Sequence, residues 1–207
     1  MAFWNAPNKV KHHESKAVRA SLEIQHQLIA HEKSLIARGH PVLRARIGMT
    51  SGNLMVGNFG SDERIQYTVI GDTVNLASRI EGINKVYGTS ICISESLFLA
   101  AHSQPGWTSI CRKLDFVAVK GKNTSVLLYE VMLFEENERF QLLGMVAEYH
   151  KAFDLYLAGK FEEARDIFSE LQLQRKDPVL QFKIEQCTEL IENPPANWDG
   201  TVVMTEK

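Results

Sequence analysis

The sequence lacks any apolar run close to the roughly 20 residues that a bilayer-spanning helix requires, and its N-terminus has no charged-then-apolar signal pattern. It has only three cysteines, Cys92, Cys111 and Cys187, which are far apart and lack paired metal-ligand spacing. This pattern fits unpaired thiols in a reducing cytosol. We therefore expect a cytoplasmic chain without a membrane segment of its own. A longer parent protein could still be anchored to a membrane through an additional N-terminal region.

The sequence also lacks a large excess of positive or negative charge. The formal net charge is −2, and no basic tract is long enough to attract a nucleic-acid duplex. We therefore expect no partner of that class. With 207 residues and 44% hydrophobic content, the chain can form one sizeable domain, or one domain with an appendage.

Hydrophobic periodicity predicts a mixture of helices and strands in the first two thirds of the chain. In order, the predicted elements are a strand end at 2–7, a long helix at 13–38, strands at 42–50, 53–59 and 65–70, a helix that starts near 72, a strand at 90–93, a helix at 94–101, and strands near 109–118 and 126–132. This order is compatible with a ferredoxin-like α+β sandwich.

From about Glu135 the pattern changes to helices only, with two helices around a turn at Gly159 and a third near 179–191. The boundary divides the chain into a domain at 1–134 and a small all-α extension at 135–207. The spacing of aromatic and small residues resembles one tetratricopeptide unit, although stable arrays of such repeats need about three. We interpret the extension as a helical cap.

The stretch 65–81 runs from an apolar strand into a helix for which Asp72 or Thr73 is the expected N-cap. Residues four apart lie on the same helix face, so Asn75 and Arg79 can reach one ligand together. Such a pair taken alone usually marks a solvated helix face. Its meaning therefore depends on the surrounding motifs.

Three further motifs accompany this stretch: Arg46-Ile-Gly-Met-Thr-Ser-Gly52, Val56-Gly-Asn-Phe-Gly60 and Val119-Lys-Gly-Lys122. In this order the chain resembles the catalytic domain of the class III nucleotide cyclases, the adenylyl and guanylyl cyclases. The resemblance implies the cyclase form of the α+β sandwich and a site at a homodimer interface. It also implies attack of a ribose 3′-hydroxyl on the α-phosphate of a nucleoside triphosphate, with release of pyrophosphate.

The resemblance also implies roles for four residues. Arg79 would contact the α-phosphate in the transition state and Asn75 would orient the ribose, while Lys120 would bind the terminal phosphates and Thr68 would contact the base. A hydroxyl both donates and accepts, so its chemistry alone does not separate adenine from guanine. Within the family, threonine at this position is typical of bacterial adenylyl cyclases, which implies ATP as substrate. Outside the motif, Thr68 reads as an ordinary strand residue and Lys120 as a solvated hairpin tip.

The sequence departs from the family pattern at the metal site. Class III cyclases hold two Mg²⁺ or Mn²⁺ ions with two aspartates, and neither motif that carries them is present, nor is the base-reading lysine. No metal role is assigned to the aspartates that remain, among them Asp62, Asp72 and Asp115. We therefore expect a sandwich incomplete at its N-terminus, part of a longer protein, which is inactive alone and completes a site only in a dimer with a longer copy.

Three functions other than that of an adenylyl cyclase remain open. A non-catalytic, cyclase-like dimerisation or regulatory module would explain the missing metal ligands, but it would not need the four site residues. A guanylyl cyclase would use the same chemistry on GTP. An interaction protein acting through the helical extension is the third.

Overall fold

The computed structural model describes residues 1–61, 64–118 and 125–202, which fold into two compact units. The first unit comprises residues 1–84 and 90–109, and the second comprises 85–89 and 110–207. In both units strands and helices occur together. The sequence pattern predicts strands only before residue 135, and the boundary placed there stays a prediction. In the described part of the chain, no helix is both long and apolar enough to cross a membrane.

The first unit contains one long helix, two short pairs of strands and two further helices. Its elements are α1 (His13–Ala37), β1 (Ile47–Met49), β2 (Met55–Ser61), β3 (Arg64–Ile70), most of α2 (Asp72–Tyr87), β4 (Ile91–Ser94) and α3 (Glu95–His102). Strands β2 and β3 are antiparallel, whereas β1 and β4 are parallel. The predicted helices and most of the predicted strands of this unit are confirmed.

The predicted strand end at residues 2–7 is wrong. Asn5 has a φ of 71°, in the left-handed region that a β-strand cannot contain. Its Oδ1 atom accepts a hydrogen bond of 2.9 Å from the backbone N–H of Val10, which closes a local loop. Side-chain hydrogen bonds of this kind compete with strand pairing.

Helix α2 follows from its apolar spacing. Ile80, Ile83 and Tyr87 are buried and recur at intervals of three and four residues, so they form one stripe along the helix. The other faces keep exposed positions such as Asn75 and Lys85. One side of α2 is thus packed against protein and another is accessible to a ligand.

The described part of the second unit contains three strands, three α-helices and one short 3-10 helix (Glu136–Glu138). Its regular elements are β5 (Cys111–Ala118), β6 (Ser125–Val131), α4 (Arg139–Leu157), α5 (Phe161–Gln174), α6 (Pro178–Glu192) and β7 (Thr201–Val202). Strand β5 pairs antiparallel with β6 and parallel with the short β7. The predicted helical extension is confirmed as helices α4 to α6, but it is not all-α, because β7 also lies within residues 135–207 and pairs with β5. Its likeness to a tetratricopeptide unit stays a prediction.

Buried aromatic side chains hold the helices of the extension together. Tyr149, Phe153 and Tyr156 on α4 are fully buried, as is Phe168 on α5. The indole N–H of Trp198 donates to the carbonyl of Tyr156 at 3.1 Å. Aromatic rings dominate core energetics in this way because each buries a large apolar area.

Candidate functional site

The site predicted from sequence begins where β3 turns into α2. Gly71 has a φ of +153°, a conformation that L side chains rarely adopt, and its carbonyl accepts from the N–H of Val74 at 3.0 Å. The helix then begins at Asp72. This start agrees with the expected one, and the role of Asp72 or Thr73 as the cap stays a prediction. The Thr73 hydroxyl donates to the carbonyl of Asn53 at 2.9 Å.

Asn75 and Arg79 lie one turn apart on α2, at a rise of about 6 Å along the helix axis. Asn75 is exposed and Arg79 is partly exposed. Neither residue is buried, so both are at least partly exposed to solvent. That they contact a nucleotide stays a prediction.

Thr68 is half-buried on β3, where it is the register partner of Gly57 on β2. The strand continues through Gly71 into α2, so Thr68 and the helix pair belong to one strand–turn–helix segment. Lys120 lies outside the described residues. Its placement relative to the other three residues therefore also stays a prediction.

Strand β1 holds α2 at close range. A Cβ atom at Gly48 would lie 2.1 Å from the backbone nitrogen of Glu81 and 2.5 Å from the carbonyl oxygen of Ala77. The side-chain amide of Asn84 donates to the carbonyl of Ile47 at 3.2 Å, and Arg46 Nε donates to Glu81 Oε1 at 2.9 Å. Three consecutive positions of the Arg46–Gly52 motif thus fix the helix that carries Asn75 and Arg79.

One feature of the sequence, a glycine within a predicted strand, is typical of such a contact. A glycine inside a strand often marks a site where another backbone approaches closely. Gly48 belongs to a motif that supported the family resemblance, but no structural role was predicted for it. Asn84, which is 1% exposed, had no signal beyond its place on the helix.

We predict that Gly48→Ala lowers the free energy of unfolding by about 1–3 kcal/mol, because the added methyl group forces α2 away from β1. Gly82→Ala on the same helix is the matched control, since nothing lies within 4 Å of a Cβ there. Alanine in a helix interior should stabilise by up to about 1 kcal/mol at Gly82. Urea unfolding of both variants measures the difference, and equal midpoints would refute the close-contact explanation.

The described residues do not fit the two-metal site that the family generally uses for Mg²⁺ or Mn²⁺. Among residues 1–61, 64–118 and 125–202, no three His, Cys, Asp or Glu side chains are grouped so as to hold a metal ion. Asp115 is fully buried and paired with Lys183, which makes its carboxylate part of the core. Asp62 lies outside the described residues.

Residues 2–133 match the family model described as the adenylate and guanylate cyclase catalytic domain. The chain therefore belongs to this family, and the resemblance inferred from its motifs is confirmed.

Relatives with similar sequences carry cyclase names. The chain is 39% identical over 131 residues to adenylate cyclase 1 of Rhizobium meliloti (strain 1021), covering 63% of this chain and 19% of the relative. It is 45% identical over 94 residues to the adenylate cyclase of Anabaena cylindrica, covering 45% of this chain and 18% of the relative. The chain thus spans about a fifth of the length of these two proteins.

Solved cyclase structures share the fold. The guanylyl cyclase Cya2 superposes with a TM-score of 0.51 at 31% identity, covering 63% of this chain and 64% of that one. The adenylyl cyclase CyaB from P. aeruginosa superposes with a TM-score of 0.53 at 28% identity, covering 63% and 65%. The predicted α+β cyclase fold is therefore confirmed.

Proposed function

We propose that residues 1–134 act as part of an adenylyl cyclase catalytic domain, converting ATP into 3′,5′-cyclic AMP and pyrophosphate. The observation that carries the proposal is the accessible face of α2, which presents Asn75 and Arg79 one turn apart within the region that matches the family. The names of the two relatives described above support ATP over GTP. Helices α4, α5 and α6 follow this region in the chain.

In this reaction the ribose 3′-oxygen attacks the α-phosphorus while the bond from phosphorus to the bridging oxygen of pyrophosphate breaks. Negative charge develops on the α-phosphate oxygens, and catalysis consists mainly of positioning and charge stabilisation. Arg79 stabilises that charge, because a guanidinium offers several donors in a fixed plane. Asn75 orients the ribose by hydrogen bonding.

The remaining two residues bind the ends of the substrate. Thr68 contacts the edge of the base through its hydroxyl, which can donate and accept. Lys120 contacts the terminal phosphates as a point charge. Both assignments follow the family motif and the position of each residue in the chain.

We further propose that this 207-residue polypeptide is inactive alone and contributes one half of a composite site. The described residues contain no metal-binding group, so the divalent ions would be held by a second cyclase chain that has the required carboxylates. The partner is then a homologous cyclase protomer. The same mode of association would allow dimers with a longer copy of this chain.

A complementation assay tests both proposals. The 207-residue chain is mixed with a class III cyclase domain that keeps its metal-binding aspartates but carries alanines in place of its own Asn/Arg pair. Neither protein alone should form cyclic AMP from ATP with Mg²⁺ or Mn²⁺, whereas the mixture should. Gel filtration with light scattering establishes whether the mixed dimer forms.

Three outcomes would change the conclusion. A folded mixed dimer that forms no cyclic nucleotide would refute the cyclase proposal and favour the non-catalytic dimerisation module. Formation of cyclic GMP from GTP in excess of cyclic AMP would favour a guanylyl cyclase, the activity named for the similar structure of Cya2. Cyclic AMP from the 207-residue chain alone would refute the half-site proposal.

A further inference from the structure

Helix α4 has apolar residues on two opposite faces. One face carries Leu142, Val146 and Tyr149, which are buried and recur at intervals of four and three residues. The opposite face is apolar as well and includes Phe140 and Leu143. Helices that are apolar all round are usually buried all round, so the second face of α4 requires an explanation.

The second face is exposed. Phe140 is 87% exposed and Leu143 is 46% exposed. Ala147 is exposed too, and a Cβ atom at Gly144 would have no described atom within 4 Å. These four residues follow one another at helical spacing and form a continuous strip on one side of the helix. They are termed the α4 stripe.

The second unit packs against α4 on the side opposite to the stripe. Leu142 and Val146 belong to a buried hydrophobic cluster that also contains Met132. Tyr149 meets Phe168 of α5 with ring centroids 5.3 Å apart. The α4 stripe is therefore directed away from these neighbours within its own unit.

The α4 stripe is complementary in size to itself. Its large residues, Phe140 and Leu143, precede its small ones, Gly144 and Ala147. If two copies of α4 pack antiparallel about a two-fold axis between residues 143 and 144, Phe140 meets the partner's Ala147 and Leu143 meets the partner's Gly144. Each large side chain then faces a small one, which lets the two helices approach closely. A parallel pair would place large against large instead.

Opposite charges flank the α4 stripe. The Glu136 side chain, before the stripe, is 81% exposed, and the Lys151 side chain, after it, is 66% exposed. Residues 136 and 151 are equally far from the two-fold axis, so Glu136 of each copy lies near the partner's Lys151. Lys151 also pairs with Glu148 in its own chain, but an ammonium group has three donors. Such charge pairs fix the register of two surfaces.

The charges on this segment favour a protein partner over a lipid surface. Helices that lie on a membrane carry mainly Lys and Arg beside their apolar face. Residues 136–151 contain three glutamates, one arginine and one lysine. A second copy of the chain matches the stripe both in the sizes of its side chains and in the signs of its flanking charges.

We propose that the α4 stripe is a self-association surface, through which two copies of this chain pair antiparallel along α4. The surface lies outside residues 2–133, which match the cyclase family. None of the candidate site residues takes part in it. The proposal therefore holds independently of the proposed function and adds a second contact between copies of the chain.

Sedimentation equilibrium of the 207-residue chain without nucleotide tests the proposal by giving a dissociation constant, Kd, for the dimer. Phe140→Ala should raise Kd about tenfold or more, as truncation of an aromatic anchor does at other interfaces. Leu173→Ala is the matched control, because Leu173 is 88% exposed but lies on α5, which packs against the other side of α4. It should leave Kd unchanged.

Gly144→Gln separates association from folding. The added side chain meets no described atom within its own chain, and glutamine is a better helix former than glycine. The unfolding temperature of the monomer should therefore rise or stay equal, when measured at a protein concentration too low for dimers. Because the side chain occupies the space of the partner's Leu143, association should be lost.

A charge exchange tests the antiparallel direction. Lys151→Glu places two carboxylates opposite each other and should raise Kd. Adding Glu136→Lys restores opposite charges across the two-fold axis and should return Kd towards the wild-type value. A parallel pair brings each of these residues against its own copy, so the double variant would show no such recovery.

The outcomes leave the two proposals separable. A wild type that stays monomeric up to about 1 mM would overturn the self-association, and its binding to phosphatidylglycerol vesicles would assign the stripe to a lipid surface instead. A dimer with the same Kd in the wild type, Phe140→Ala and Gly144→Gln would also overturn it, by placing the contact elsewhere. Neither result bears on cyclic AMP formation, which the complementation assay measures.

Discussion

Replacement of Arg79 by alanine is expected to reduce cyclic AMP formation in the complementation assay by about 10²-fold or more, as the loss of an oxyanion donor does in other enzymes. The side chain is partly exposed, and thermal unfolding of the variant reports any loss of stability separately from the loss of rate. Arg79→Lys keeps the charge but loses the planar set of donors, and we expect it to recover only a small part of the rate.

The matched control is Lys85→Ala, which removes a cation from an exposed position on the same helix. It should leave kcat within about twofold of the wild type, since it lies six residues, or about 1.7 turns, from Arg79. Steady-state kinetics with ATP, together with thermal unfolding, separates catalysis from stability. Arg79→Ala with a rate close to that of Lys85→Ala would remove Arg79 from the site.

The largest effect on stability is expected from Asp115→Asn, which leaves the ammonium group of Lys183 buried without its carboxylate partner. Breaking a buried pair in this way typically costs about 3–5 kcal/mol. The control is Glu148→Gln, because Glu148 pairs with Lys151 at the same distance, 2.6 Å, but at the surface. Exposed pairs contribute about 0.2–1 kcal/mol, so the control should unfold almost like the wild type.

A double-mutant cycle checks the reason for this loss. If the cost is an unpaired buried charge, adding Lys183→Met to Asp115→Asn should recover much of the stability, because replacing both partners of a buried pair can be nearly neutral. Denaturant unfolding of the two single variants and the double variant measures the coupling. Additive losses would mean that the two side chains are not coupled.

The free energy of unfolding of Asp115→Asn should also depend on pH. Burial lowers the pKa of Lys183 below its ordinary value in the folded protein, and loss of Asp115 removes an influence that raises it. The unfolded chain then binds more protons than the folded chain, so stability rises with pH up to the unfolded value of about 10.4. Asp115→Asn should therefore regain part of its loss between neutral pH and about pH 10.

The candidate site could be predicted from the sequence as far as local patterns extend. The helix period placed Asn75 and Arg79 on one face of α2, and the structure has that helix with both positions accessible. The start of the helix near residue 72 was predicted correctly, whereas the unusual backbone of Gly71 just before it was not predicted. The strand predicted at residues 2–7 is absent, because the side chain of Asn5 accepts a hydrogen bond that closes a local loop.

By itself the sequence determined the helices, most strands, the cyclase family and the face of α2 that carries its polar pair. These features depend on periodicity and on motifs that are contiguous in the chain. Only the tertiary structure decided that Gly48 lies against Glu81 and that Asp115 joins Tyr87 to Lys183. Such contacts form between residues that are distant in sequence. Whether a charged side chain is solvated or buried depends on the partner that the tertiary structure brings next to it.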